Sequence, residues 1–292
     1  MSVGVERRAP RASHLPAPRP ARPAAPDRRH AREARATTHR VARTFSIACR
    51  LLPRACREDV YLLYLVFRTL DDLVDEQRPE AAARVGALAA WAAGRPGPRT
   101  QEIEVLEAVD RRTPLPRAPL LAFCAGMRAD LAGAGFATEG DVDRYCYQVA
   151  GTVGELMAAV LGTRDEARAR PAAAALGMAM QRTNILRDID EDAAAGRSYL
   201  AEESVARFGP PTPGARAALL RDQIARADAL YEEGLAGVPL LLHGRAAIRA
   251  AAWMYREILR QIERDGDGGR AGRAVVAGPR KLWIAARRGL GG

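Results

Sequence analysis

Asn184, Asp188 and Asp192 recur every fourth residue in the stretch Gln181–Asp192. On an α-helix that spacing stacks three oxygen-bearing side chains about one turn apart on one face. Gln181 lies one turn earlier on nearly the same face, and Ile185 and Leu186 supply apolar flanks. A solvated acidic face is the ordinary alternative. A calcium loop is excluded, because Ala193 stands where its Gly is needed and Tyr199 where its bidentate Glu is needed. A row of two carboxylates and an amide suits a hard cation such as Mg²⁺.

A second acidic segment runs Arg68-Thr-Leu-Asp71-Asp72-Leu-Val-Asp75-Glu76. Asp71 and Asp75 are four apart, and so are Asp72 and Glu76, so both pairs project from one side of a helix. Like charges at that spacing cost a few tenths of a kcal/mol each. Two such helices point to a compensating cation between them. Mg²⁺ prefers carboxylates together with water and substrate phosphates, so the implied substrate carries a diphosphate. Arg68 and Arg187 sit a turn or less from these carboxylates and offer forks suited to phosphate oxygens; a plain Arg–Asp ion pair is the alternative for each.

The rest of the chain reads as all-α. Ala dominates the apolar residues and β-branched runs are scarce. Helices are expected at 37–52, 57–76, 79–93, 101–111, 116–131, 138–161, 171–192, 212–234 and 238–264, with a short one after Pro279. Gly151 and Gly154 are costly inside a helix; a kink, or close approach of another helix or a bulky ligand, would account for them. Residues 1–36 read as a disordered basic tail rich in Pro, Ala and Arg, followed by one domain over 37–292.

The formal charge of +10 is unevenly placed: residues 1–43 hold eleven Arg against three acids, a net +8. A basic nucleic-acid-binding face is therefore not indicated. The tail's functional reading is attraction to anionic lipid, which would place the protein peripherally on a membrane; the favoured alternative is a plain unstructured extension or a misplaced start codon. The four cysteines show neither zinc nor disulfide spacing, and no signal peptide or membrane span is evident, so a cytoplasmic setting is expected. The weak match Gly266-Asp-Gly-Gly-Arg-Ala271 has no strand before it and reads as a flexible loop, so it gives no dinucleotide fingerprint.

These motifs together resemble the squalene/phytoene synthase family. The resemblance rests on Asp71-Asp72-x-x-Asp75, the run Tyr145 to Gly154, Asn184-Ile-Leu-Arg-Asp-x-x-Glu-Asp192 and Gly196-Arg-x-Tyr-Leu200, and covers residues 40–285. It implies an isoprenoid-synthase helical bundle around a deep apolar cavity. The implied reaction is head-to-head condensation of two prenyl diphosphates through a cyclopropylcarbinyl diphosphate. Asp71, Asp75, Asn184, Asp188 and Asp192 match metal positions, with Mg²⁺ expected and Mn²⁺ as a substitute. Arg68, Gln181, Arg187 and Arg197 match positions near the diphosphates; Tyr64, Tyr145, Tyr199 and Tyr255 match positions lining the cavity, Tyr145 also with a catalytic role.

The wording of the Tyr145–Gly154 run resembles bacterial phytoene synthases most, so phytoene from two geranylgeranyl diphosphates is expected and NADPH is not. Squalene, presqualene diphosphate or dehydrosqualene from farnesyl diphosphate is the alternative. A terpene cyclase would carry Ser and Glu at the places of Asp188 and Asp192, and a non-catalytic assembly factor would be expected to lose metal-site aspartates. Departures from the family occur at Ala42, Ala201 and Asp265–Gly269, which bear on one substrate contact and the C-terminal lid.

Overall fold

The computed structural model describes residues 28–41, 43–133 and 135–290. Among them thirteen α-helices run α1 (Arg28–Val41), α2 (Arg43–Cys49), α3 (Arg54–Asp75), α4 (Ala81–Ala92), α5 (Gln101–Asp110), α6 (Arg117–Leu131), α7 (Glu139–Cys146), α8 (Thr152–Leu161), α9 (Glu166–Ala194), α10 (Glu202–Phe208), α11 (Ala217–Gly237), α12 (Arg245–Arg264) and α13 (Gly278–Leu290). Among the described residues the only β pairing is an isolated bridge between Thr163 and Leu241. The all-α expectation holds.

The 29-residue α9 runs through the middle, against α8 on one side, α11 and α12 on the others. Its close packing depends on glycines. A Cβ at Gly154 would collide with the Ala173 carbonyl, and one at Gly177 with the Ala150 carbonyl. Bare backbone lets α8 and α9 approach as two larger side chains would not. Of the readings open for this stretch, close helix approach and a local distortion both occur: Tyr147–Gly151 forms a π-helical turn between α7 and α8. Such a turn inserts an extra residue and re-aims the side chains beyond it.

Polar side chains tie the helices where the apolar core does not. Arg182 on α9, only 3% exposed, donates to Glu139 and Asp143 of α7 and to Gln223 of α11. Ser204 of α10 donates to the same Glu139. Burial alone would raise the Glu139 carboxyl, but bonds from Ser204, Arg182 and Gln223 hold it below its ordinary value. Helix starts are set locally: Thr138 and Asp141 form a capping box, and Asp165 accepts from the Arg168 N–H at 3.2 Å.

Several expected boundaries move: the helix expected at 171–192 begins at Glu166, and the one expected at 212–234 runs Ala217–Gly237. The first helix begins at Arg28, nine residues before the expected Thr37, so 28–36 belong to the folded unit; Ala34 is fully buried. Residues 1–27 of the expected tail lie outside the described residues, as does Ala42 within the expected helix 37–52. The expected helix 238–264 starts only at Arg245, after a 3₁₀ turn at Val238–Leu240.

Arg182→Met is expected to destabilise the fold by about 3 kcal/mol, because it strands Glu139 without its buried partner. Urea unfolding checks this. Since the folded Glu139 value is depressed, its contribution is complete above the ordinary 4.5 and is lost as pH falls from there through the folded value. The wild-type chain should therefore lose more stability than Arg182→Met below that pH.

Candidate active site

Three sides of the molecule meet at a cavity of about 230 Å³. Its wall is made by Phe45 of α2, Tyr64 of α3, Val153 and Met157 of α8, Ala173, Gly177 and Met180 of α9, and Ile248 of α12. Almost nothing in it can hydrogen-bond, so it favours hydrocarbon over water. Small residues on α8, α9 and α11 create the space.

The two acidic rows stand near its Tyr64 end. Tyr64 is one helical turn before Arg68 and two before Asp71. Arg68 pairs with Asp71 at 3.0 Å and with Asp72. Across the cleft Arg187 forks onto Asp188, with Nε to Oδ1 at 2.8 Å. Arg197, on the link after α9, reaches both rows: 3.8 Å to Asp75 of α3 and 3.6 Å to Asp192 of α9. One guanidinium spans the gap, so the rows face each other.

Electrostatics records the same proximity. Burial raises the Asp75 and Asp192 carboxyls, Arg197 pulls both back, and the charge of Asp75 pushes on Asp192. Burial, then the charge of Asp75, raises Asp71 although its side chain keeps 41% of its surface open. Such crowding of carboxylates is a mark of functional sites.

The expected residues divide into groups. Asp71, Asp75, Asp188, Asp192, Arg68, Arg187 and Arg197 gather at the cleft. Asn184 donates to the Gln181 carbonyl at 3.3 Å, so those two are joined one turn nearer the cavity along α9. Of the four tyrosines, Tyr64 lines the cavity, stacked on Phe45 at 5.2 Å. Tyr255 stands beside Tyr64 and Arg187. Tyr145 and Tyr199 stack on each other at 5.4 Å beside Phe136, at the acidic rim and not along the cavity wall.

Two residues of the site belong to no motif. Asp130 of α6 accepts the Tyr145 hydroxyl at 3.1 Å, and its carboxyl is raised to about 6 by burial, against that hydrogen bond. The Tyr145 hydroxyl is itself driven upward, by burial first and then by Asp130. Arg273 lies 3.0 Å from Asp188 and 3.5 Å from Glu191. It stands two residues beyond Gly266–Ala271, which is a loop as expected, and that loop is held by side chains from other helices. Buried Arg216 donates to the carbonyls of Gly268 and Arg270, and the Gly272 N–H donates to Asp190 at 2.7 Å. Pinned this way, the loop delivers Arg273 to the second acidic row. No local signal announces either residue, since both act through contacts distant in the chain.

The residues present suit a hard divalent cation. The donors are all oxygen, and the Asn184 Oδ1 is buried without a hydrogen-bond partner. Among the described residues no group of three or more carboxylate, imidazole or thiol side chains is gathered tightly enough to hold an ion alone. Arginines occupy the carboxylates instead, so completing a metal shell needs ligands from elsewhere.

Facing carboxylate rows over an apolar hollow inside a helical bundle define an isoprenoid-synthase fold of the prenyl-diphosphate type. The family model for squalene/phytoene synthase matches residues 38–280. A phytoene synthase of Thermus thermophilus is 40% identical over 239 residues, 76% of this chain and 80% of that protein. A 15-cis-phytoene synthase of Synechococcus elongatus is 34% identical, covering 86% of this chain and 89% of its own. A dehydrosqualene synthase solved with a ligand superposes with a TM-score of 0.80 at 28% identity, covering 89% of this chain and 95% of that one. The squalene synthase of Alicyclobacillus acidocaldarius follows with 0.71 at 26%, covering 82% and 95%. The chain belongs to the squalene/phytoene synthase family, and it is a prenyltransferase.

Arg197→Met should lower the melting temperature in low salt, by leaving Asp75 and Asp192 facing without their shared cation. Mg²⁺ together with pyrophosphate should restore more of that loss than Mg²⁺ alone or Na⁺ at equal ionic strength. Equal rescue by all three would show a general screening effect and no divalent site.

Proposed function

We propose that this protein joins two geranylgeranyl diphosphates head to head to give phytoene, the first committed C–C bond of carotenoid biosynthesis. The observation that carries this reading is Arg197 spanning Asp75 and Asp192 beside an apolar cavity. A diphosphate held there has its charge at the rim and its hydrocarbon in the hollow. The phytoene synthases of Thermus thermophilus and Synechococcus elongatus support the product assignment.

Asp71, Asp75, Asn184, Asp188 and Asp192 would hold Mg²⁺, or Mn²⁺ in its place. Bound there, the ion supplies Lewis-acid stabilisation to a departing diphosphate. Arg68, Arg187, Arg197 and Arg273 then release their carboxylates and turn their forks to phosphate oxygens. Gln181 orients Asn184. Tyr64 and Tyr255 mark the passage from rim to cavity, where the cationic end of an ionised prenyl chain lies against aromatic faces. The dry wall of Val153, Met157 and Ala173 keeps water off that cation. Tyr145 stands ready to take the proton lost in forming a cyclopropylcarbinyl diphosphate while its own hydroxyl proton passes to the carboxylate of Asp130 on which it is held. That intermediate loses its diphosphate, the cation rearranges to the 1′–1 skeleton, and loss of a second proton gives the product without a reductant, so NADPH is not required.

Among the described residues no helix is long and apolar enough to cross a membrane. We place the enzyme in the cytoplasm, resting on the membrane that receives its hydrocarbon, with the basic N-terminal segment drawn to anionic lipid.

Incubation of the purified protein with Mg²⁺ and C15 or C20 diphosphates, with and without NADPH, tests the reading. The expected product is a C40 hydrocarbon from the C20 substrate, unchanged by NADPH. An NADPH-dependent C30 product from C15 would assign it to squalene formation, and a cyclic product from a single prenyl diphosphate to a cyclase. Asp71→Asn and Asp188→Asn should each lower kcat by roughly a hundredfold or more, a loss typical of removing one stabiliser of transition-state charge. Their helical circular dichroism should stay unchanged; normal turnover in either would remove the metal assignment.

A further inference from the structure

The last helix carries apolar residues on two faces, one turned to the protein and one turned outward. Ile284 and Ala285 of α13 are buried against Ala48 of α2 and Ala250, Ala251 and Met254 of α12. On the opposite side Pro279, Leu282, Trp283 and Ala286 fall at the i, i+3, i+4, i+7 positions of one outward stripe. Leu282 is 58% exposed and Trp283 49%. Just before the helix, Val275 is 69% exposed. Scattered exposed apolar residues need no explanation, but a stripe at helical spacing that ends in a half-exposed Trp does.

Cations edge this stripe. The Arg280 and Arg287 guanidinium carbons lie 5.0 Å and 5.4 Å from the Trp283 ring centre. Residues 268–292 contain six Arg or Lys and no Asp or Glu. Glu257 of α12 accepts from Arg280 at 3.1 Å. Basic residues beside Leu and Trp on the outer face of a helix are the composition of an interfacial amphipathic helix. Trp favours the headgroup level, and long Arg and Lys stems let their charges rise to the phosphates.

We propose that the outward face of α13 seats the enzyme on an anionic lipid bilayer, Leu282 and Trp283 entering the headgroup boundary and Arg280 and Arg287 meeting lipid phosphates. Charge selects this occupant. A second copy docked through a two-fold axis would set these cations against themselves. The chain's own N-terminal segment, net +8 over residues 1–43, carries the same sign. The surface also lies close to the cavity: α2 and α12, on which α13 rests, present Phe45, Ile248 and Ala251 to the hollow from their other sides. A single layer of helices separates the lipid from the prenyl site. This inference gives a surface to the membrane placement proposed above, and it rests on the reading that the cavity takes long prenyl chains only for its purpose, not for its geometry.

Vesicle flotation of the full chain tests it. The protein should float with vesicles of mixed phosphatidylglycerol and phosphatidylcholine, less so as salt rises, and not with phosphatidylcholine alone. The double variant Leu282→Ser, Trp283→Ser should lower the bound fraction at least tenfold at unchanged melting temperature. Deletion of residues 1–27 should leave that difference in place. Trp283→Phe should still float, while losing the fluorescence quenching by brominated lipids that the wild-type chain shows. Flotation of the double variant at wild-type level would overturn the proposal, as would binding abolished by the deletion alone. A concentration-dependent dimer that the double variant dissociates, with no wild-type flotation, would assign the face to a second copy. Hydrocarbon synthesis from detergent-dispersed substrate is read separately: floating protein that makes no C40 product would fail the function and leave the surface standing.

Discussion

Carboxylates set face to face across a cleft repel one another, and the molecule is arranged around that repulsion. Asp71 and Asp75 on α3 oppose Asp188 and Asp192 on α9 in surroundings partly screened from water. Without partners these charges would prise the two helices apart. Four arginines hold the rows in check: Arg68 within the first, Arg187 and Arg273 on the second, Arg197 across both. Guanidinium is also the group best shaped for phosphate oxygens. In our reading the same side chains serve twice, as counterions to the empty rows and as diphosphate ligands once a divalent ion takes the carboxylates.

The acidic cleft and the apolar hollow share one helix. Along α9, Asp192 and Asp188 lie at the rim, Asn184 and Gln181 deeper, and Met180, Gly177 and Ala173 in the cavity wall. Anion and hydrocarbon ends of a ligand would thus be measured against a single rigid rod. Gly177 against Ala150 and Gly154 against Ala173 bring α8 close to that rod, while the π-helical turn at Tyr147–Gly151 takes up the misfit. The buried Arg182 network, on the face of α9 turned toward α7 and α11, anchors the rod from behind. Fold stability and site geometry therefore depend on the same element.

Much of this is legible in the chain itself, because the relevant signals are local. Spacing by four places Asp71 with Asp75 and Asp188 with Asp192, and only a helix keeps such rows aligned. Alternation too weak for strands settles the fold class. What the spacing does not supply is contact between distant segments. Asp130 sits among ordinary residues of α6 and becomes notable only when α7 brings Tyr145 to it. Arg273 follows the Gly266–Ala271 loop and belongs to no motif, since the Arg216 and Asp190 contacts that hold this segment come from other helices. Tyr145 and Tyr199 belong together at the rim because the link after α9 folds back, which no motif states. The start of α1 is hidden for a different reason. Its buried face carries Ala34 and Thr38, whose small side chains leave hardly any apolar period among the arginines.

The central claim is that the carboxylate rows accept divalent ions only in company with a diphosphate, and titration calorimetry addresses it directly. Mg²⁺ added to the protein alone should bind weakly, while Mg²⁺ added with inorganic pyrophosphate should bind tightly, and pyrophosphate without Mg²⁺ should bind weakly again. Tight Mg²⁺ binding that pyrophosphate leaves unchanged, or tight pyrophosphate binding that needs no metal, would contradict the account.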